Sequence, residues 1–575
     1  MRKLLNVLLF LFIIHAAVAQ PVEVDYRKPL NTSISLSANF AEMRSNHFHS
    51  GVDLKVGGVV GAKLYAVADG YISRINVSPF GYGKAVYINH PNGETSVYGH
   101  LDGFNEKIRK YIEAVQYKLQ SFRVDETIDD PDVLPVKKGE VIGFAGNSGS
   151  SFGAHLHFEI RKTHNQVPTN VVTRDIIRVM DNVPPNIHSM AVFTLDSTFS
   201  ITTPRLLKSA KVMKKGDVWV PEGNTTFEVY NPVYFGVYAN DYQPNNRSKF
   251  GINHMTAYID SVAFFAYTLD EFTFEETRYI NSFIAYEELV KNNRSYVKTF
   301  VEDGNRLSVY KNVVNNGLIV LNDTLEHTVR MDLFDDSGNK TVLVFKVKKA
   351  KELNPHNNNL FDPEKFRPAL WNMHFNCENE GIKVYLSEES LYSNMLFTLD
   401  SSAVNTGFYT PVWTIGNFAT PLHKHMAISL KPDMPEPLKK RAVIVRINAN
   451  GKASSVGGTW DEEKNFIMAN VAEFGSYSVA VDSIPPTIKL AFKKGADMRV
   501  HKSLTVTIAD NLSGIDTYNG YIDDEWALFD YDAKTRSLTY RFDAARIKKG
   551  QRHRLKVVVE DGCKNSATLD AEFIW

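Results

Sequence analysis

Two clusters in this chain could carry chemistry: His49-Ser50-Gly51-Val52-Asp53 and His155-Leu156-His157-Phe158-Glu159. On a strand, residues two apart share a face and stand roughly 6.5 to 7 Å apart, so His155 and His157 project together into one site. Four extended residues span about 13 Å, so His49 and Asp53 reach one ion only if Ser50-Gly51 bends the chain, which glycine permits. Imidazole nitrogens and carboxylate oxygens suit zinc, and a hydrolytic centre uses three protein ligands while leaving the fourth position for water. His49, Asp53 and one of the paired histidines complete such a set. The leftover histidine is then placed to contact the bound water, and His100, in Val97-Tyr98-Gly99-His100-Leu101, can approach from another strand end.

The segments His49-x-Gly-x-Asp53, Tyr98-Gly-His100-Leu and Gly153-Ala-His155-Leu-His157-Phe-Glu159 resemble, in order and spacing, the motif set of the lysostaphin-type zinc endopeptidases, also called LytM-type murein hydrolases. Val67-Ala68-Asp69-Gly70, Gly81-Tyr82-Gly83 and the run from Val136 to Gly143 extend the resemblance, which covers residues 38 to 165, under a third of the chain. It implies that His49, Asp53 and His157 hold zinc and that His155 and His100 are the two non-ligand catalytic histidines. It also implies an antiparallel β groove with the metal on its floor and peptide cross-links of peptidoglycan as substrate. Some members of that family cut glycyl-glycine bridges and others D-alanyl-diaminopimelate bonds. The long β-module tail and the lack of a Gram-positive wall-targeting repeat favour the latter. The alternative is a non-hydrolytic cell-wall-binding or hydrolase-activator protein, as in relatives that have lost ligands. His47 is a rival ligand by composition but lacks the x-Gly-x-Asp context. Glu159 is read as a supporting carboxylate rather than a base, because the His-Glu-x-x-His helix is absent.

The elements that must position these residues are strands. Short alternating runs such as Lys84 to His90 lie between Gly-rich turns (Gly81-Tyr82-Gly83, Gly146 to Gly149). One amphipathic helix is predicted over 104 to 122, where Ile108, Tyr111, Ile112, Val115, Leu119 and Phe122 recur at helical spacing. It packs on the sheet, or else covers the site as a lid. Beyond it, Asp181-Asn182-Val183-Pro184-Pro185-Asn186-Ile187 is echoed by Asp482-Ser483-Ile484-Pro485-Pro486-Thr487-Ile488. Asp-containing turns follow each phrase (Asp241, Asp510), and each segment ends in a further one (Asp335 to Asn339, Asp561 to Asn565). These read as linkers into divergent copies of one immunoglobulin-like antiparallel sandwich.

The resulting organisation is mostly β: an antiparallel β-groove peptidase domain followed by three β-sandwich-like modules. The expected boundaries are a signal peptide over 1–19, the metallopeptidase domain over 20–180, and modules over 181–352, 366–481 and 482–575. All five chemical residues precede the first linker, so a chain ending near Asp181 is expected to keep the activity.

Composition agrees with folded domains throughout: 43% hydrophobic and 23% charged residues are too apolar and too sparsely charged for disorder. The 65 basic and 65 acidic residues cancel, which argues against a general grip on nucleic acid or anionic membranes. Arg2-Lys3, the apolar run Leu4 to Ile14 and Ala17-Val18-Ala19 read as an export signal cleaved before Gln20, with no membrane span afterwards. The product is expected in the periplasm or cell envelope, or secreted, with an envelope protein as a partner for the β modules. Cys377 and Cys563 fall in different modules and are read as isolated thiols.

Overall fold

Strand His155–Lys162 sets the geometry of the N-terminal domain, because its residues alternate between two kinds of face. Leu156, Phe158 and Ile160 are fully buried in the apolar core on one side, while His155, His157, Glu159 and Arg161 alternate with them. The computed structural model describes residues 23–198, 201–352, 354, 362 and 365–575. The export segment expected over 1–19 lies outside the described residues.

The main sheet of this domain is built from β1 (Leu36–Ala38), β2 (Val52–Lys55), β3 (Gly70–Val77), β4 (Lys84–Asn89), β5 (Glu94–Gly99), β6 (Val124–Thr127) and β7 (His155–Lys162). They assemble in the order β1-β2-β7-β5-β4-β3-β6, every neighbouring pair antiparallel. The register of β7 places His157 opposite Asp53 on β2 and opposite Gly99 on β5. The site therefore sits in the interior of the sheet, where β7 pairs with β2 on one side and β5 on the other.

Helix α1 (Glu106–Leu119) begins at Asn105, whose side chain accepts from the Ile108 N–H at 2.9 Å, a standard N-cap. It buries Ile108, Ile112 and Gln116 against the sheet, whereas Leu119 is exposed. Its other side meets the C-terminal module: Tyr117 lies edge-on to Trp526 at 5.2 Å, and the Arg546 guanidinium stacks on the Tyr117 ring. No residue of α1 lines the groove around the histidines, so the helix is a packing element and not a lid.

The strands from Asn186 to Lys349 form one eleven-stranded sheet. It is not purely antiparallel as expected. Thr226–Val229 runs parallel to Lys346–Lys349, because the last long strand, Lys340–Lys349, closes the module between strands of both directions. Ala496–Asp497 likewise runs parallel to Phe573–Ile574 in the last module. The middle module holds two five-stranded sheets around its own core, and the last module a four-stranded and a five-stranded sheet. Cys377 and Cys563 are buried free thiols. Among the described residues no helix is long and apolar enough to cross a membrane.

The N-terminal domain and the first module share a core. One apolar cluster runs without a break from Leu30 through Ile187 to Val347. Phe40 and Phe48 meet Phe272 at 5.3 and 5.4 Å, and Phe48 meets Phe283 at 5.7 Å. Polar pairs reinforce this seam: Asn39 donates to the Gly251 carbonyl and to Asp336, and the Phe48 N–H donates to Thr277.

Candidate metal centre

His49 and Asp53 come together because the chain bends between them. A Cβ at Gly51 would stand 2.4 Å from the Phe158 carbonyl oxygen and 2.6 Å from the Glu159 side chain, so the bend is pressed against β7 and only glycine fits. Gly51→Ala should push β2 off β7, cost about 1–3 kcal/mol and weaken metal retention, read by thermal melting and metal analysis. A melting curve and metal content like those of the parent would show that the bend can move.

Three donor atoms converge at this bend. His49 Nε2 lies 3.1 Å from Asp53 Oδ1 and 3.0 Å from His157 Nδ1, and His157 Nδ1 lies 3.0 Å from Asp53 Oδ1. The three residues are 8%, 8% and 3% exposed, too sheltered for water to satisfy the donors. The far nitrogen of each imidazole is committed elsewhere. His49 Nδ1–H donates to the Asn39 carbonyl at 2.8 Å, and His157 Nε2–H donates to Glu159 Oε1 at 2.7 Å. These bonds set the tautomers, leaving the lone pairs of His49 Nε2 and His157 Nδ1 facing the Asp53 oxygen. Three electron-rich atoms so close repel one another unless a cation or proton lies among them. Burial opposes charging His157, but the hydrogen bonds to Asp53 and Glu159 outweigh it and raise its pKa to about 9.

Glu159 anchors the inner side. Burial disfavours its charge, yet Arg161 and His157 hold its carboxyl well below the usual range. It also accepts from Ser50 Oγ at 2.8 Å and Tyr82 OH at 2.7 Å. The outer oxygen of Asp53 faces Arg44 at 3.5 Å.

The two other histidines flank this triangle. His155 lies beside His157 on the same strand face, with Nε2 3.4 Å from Asp53 Oδ1. Its Nδ1–H donates to the Gly153 carbonyl at 2.8 Å, and its Nε2 is buried without a hydrogen-bond partner. His100 follows the end of β5 with φ of 62°, a conformation unusual for a residue with a side chain. Its backbone N–H bonds to Tyr82 O at 2.8 Å and its Nδ1–H to Ser148 O at 2.9 Å, which pin it there. The rings of His100 and His155 are 4.9 Å apart. Burial, then the neighbouring His157 and His155, lower the pKa of His100 to about 3, so it is neutral at working pH.

All five residues singled out from the sequence thus meet in one groove. His47 lines the same groove but is not one of the three converging donors: it is exposed, and its ring contacts the Ser45 carbonyl. Sequence reasoning missed Asn39, whose carbonyl orients His49, and Phe274 and Thr277 of the first module, which line the same groove. Arg161 was legible by alternation, two residues beyond Glu159 on the same face. Nothing local marks Asn39 or the two module residues.

Residues 47–117 match Peptidase family M23, and residues 367–482 match the Zu5-like domain. The DD-carboxypeptidase/endopeptidase Mpg of Neisseria meningitidis is 34% identical over 125 residues, which cover 22% of this chain and 22% of that protein. An uncharacterized metalloprotease of Haemophilus influenzae is 30% identical over 139 residues, 23% of this chain and 24% of that one. The chain thus spans under a quarter of the length of these curated relatives. Among solved structures, the catalytic domain of lysostaphin from Staphylococcus simulans is 20% identical, covering 24% of this chain and 89% of that chain with a TM-score of 0.18. A zinc-containing peptidase from Vibrio cholerae is 22% identical, covering 28% of this chain and 40% of that chain with a TM-score of 0.20. Through residues 47–117 the N-terminal domain of this chain, with its buried His, Asp and His donors, is thus similar to Peptidase family M23, the lysostaphin-type peptidases.

Proposed function

We propose that this chain is an exported zinc metalloendopeptidase that hydrolyses peptide cross-links of peptidoglycan, at D-alanyl-diaminopimelate bonds, in the periplasm or cell envelope. The observation that carries the reading is the triangle of His49 Nε2, Asp53 Oδ1 and His157 Nδ1, three lone-pair donors within 3.1 Å of one another whose tautomers are set by outer hydrogen bonds. Two nitrogens and one carboxylate oxygen are a donor set that suits zinc and leaves a position open. His49, Asp53 and His157 would hold the ion, with Asn39 and Glu159 orienting the two imidazoles. When bound, zinc supplies Lewis acidity to the scissile carbonyl and acidity to the attacking water.

The chain's own groups do the proton work. His100 and His155 each donate Nδ1–H to a backbone carbonyl, so each keeps a lone pair on Nε2 beside the ligand triangle. Between them, His155 and His100 can orient or deprotonate the attacking water and stabilise the developing oxyanion. The Mpg peptidases of Neisseria support a cell-wall peptide as substrate.

His100→Ala and His155→Ala should retain the metal while losing at least about a hundredfold in turnover. Loss of metal from His155→Ala together with its retention in His157→Ala would mean that the two roles are exchanged. The function itself is tested by mass spectrometry of fragments released from purified sacculi by the zinc-loaded chain. Fragments with a new diaminopimelate amine support the proposal. Binding to sacculi without any release would instead favour a wall-binding or activator role.

A further inference from the structure

The turns that punctuate the sequence gather into two carboxylate cages. In the first module Asp181, Asp241 and Asp335 place carboxylate oxygens within 4.8 Å of one another, and in the last module Asp482, Asp510 and Asp561 do the same. The correspondence is positional. The first aspartate of each set opens a Pro-Pro linker, the second follows the end of a strand (Val233–Asn240, Ser503–Ala509), and the third closes a later strand at a turn.

Two aspartates of each cage are buried, and each cage holds at least one oxygen without a partner. Asp241 and Asp335 are each 4% exposed, Asp482 1% and Asp561 0%. Asp241 Oδ1 is buried with no hydrogen-bond partner, and so are Asp510 Oδ1 and Asn565 Oδ1. Asn565, itself 4% exposed, belongs to the second cage, since its amide nitrogen donates to Asp561 Oδ2 at 2.8 Å and to the Asp482 carbonyl at 2.9 Å. The groups acting on Asp181, Asp241 and Asp335 are other carboxylates, the Asn339 amide and backbone N–H groups, with no cation among them. Burial first, then Asp335 and Asp181, raise the pKa of Asp241 to about 8. Buried carboxylates facing each other with an orphaned oxygen call for a counter-charge.

We propose that Asp181, Asp241 and Asp335, and in the last module Asp482, Asp510 and Asp561 with Asn565, form two calcium sites that fix each module to the linker in front of it. The proposed donors in both sets are oxygens, which selects a hard cation over zinc. Calcium accepts irregular cages of carboxylate, amide and carbonyl oxygens, whereas magnesium demands near-octahedral geometry and keeps its waters. The first cage is also linked to the metal centre through its neighbours in the chain. Asp336, next to Asp335, accepts from Asn39 and Asn170, and the Asn39 carbonyl holds His49. Calcium there would stiffen the seam behind a zinc ligand.

The test is equilibrium dialysis of calcium against the full-length, zinc-saturated chain, paired with thermal melting. Two equivalents should bind, and the melting temperature should rise by several degrees with calcium and not with equal magnesium. Asp241→Asn and Asp561→Asn should each remove one equivalent. Calcium-free Asp241→Asn should melt no lower than the calcium-free parent, because it discharges a repulsive site. No bound calcium at about 1 mM, the weak end for extracellular modules, would overturn the proposal. So would unchanged stoichiometry in both variants, and an equal shift with magnesium would overturn the choice of calcium.

Discussion

Alanine at His157 should empty the metal centre and lower turnover by at least about a thousandfold, the scale of the several kcal/mol that a Lewis-acid metal supplies. A three-donor site deprived of one ligand holds zinc weakly, and His157 lies within 3.0 Å of both other donors, as each of the three lies close to both others. The fold should survive. Leu156 and Phe158, on the opposite face of the strand, keep the core, and Glu159 keeps its bonds from Ser50, Tyr82 and Arg161. His49→Ala and Asp53→Ala should behave alike. Metal analysis, circular dichroism and release of soluble muropeptides read the three effects separately. Stoichiometric zinc and full turnover in His157→Ala would refute the ligand assignment.

Ending the chain near Asp181 should abolish folding of the N-terminal domain, contrary to what the position of the five chemical residues suggests. The cut would bare Phe40 and Phe48, which pack on Phe272 and Phe283 in the continuous core. Exposing two buried phenylalanines costs roughly 3–6 kcal/mol, a large part of the 5–15 kcal/mol that keeps a domain folded. It would also strip Asn39 of Gly251 and Asp336, loosening the carbonyl that orients His49. The truncated chain should melt without cooperativity and hold little zinc, whereas one that retains the first module, ending near residue 352, should keep the shared core and the metal. A monomeric, cooperatively melting, zinc-loaded product of the shorter cut would show that the seam is dispensable.

Spacing and alternation along the chain were enough to set the local geometry of the site. Period-two alternation dictated that His155, His157, Glu159 and Arg161 share a face, and the His49 to Asp53 spacing demanded the bend found at Gly51. The mostly β architecture and the helix over Glu106–Leu119 were legible for the same reason, since burial patterns repeat with the period of the element. Tertiary structure alone decided the rest. Which nitrogen of each imidazole faces the centre depends on Asn39 and Glu159, and Asn39 is itself held by Asp336, 297 residues away. Asp181, Asp241 and Asp335 read in sequence as a linker residue and two turn residues of a repeated pattern, and become a cage only when the register of distant strands brings their carboxylates together. The apolar seam that joins the first module to the peptidase core was equally invisible. Local propensity fixes the direction of a side chain relative to its own backbone, whereas convergence and desolvation depend on partners the chain supplies from hundreds of residues away.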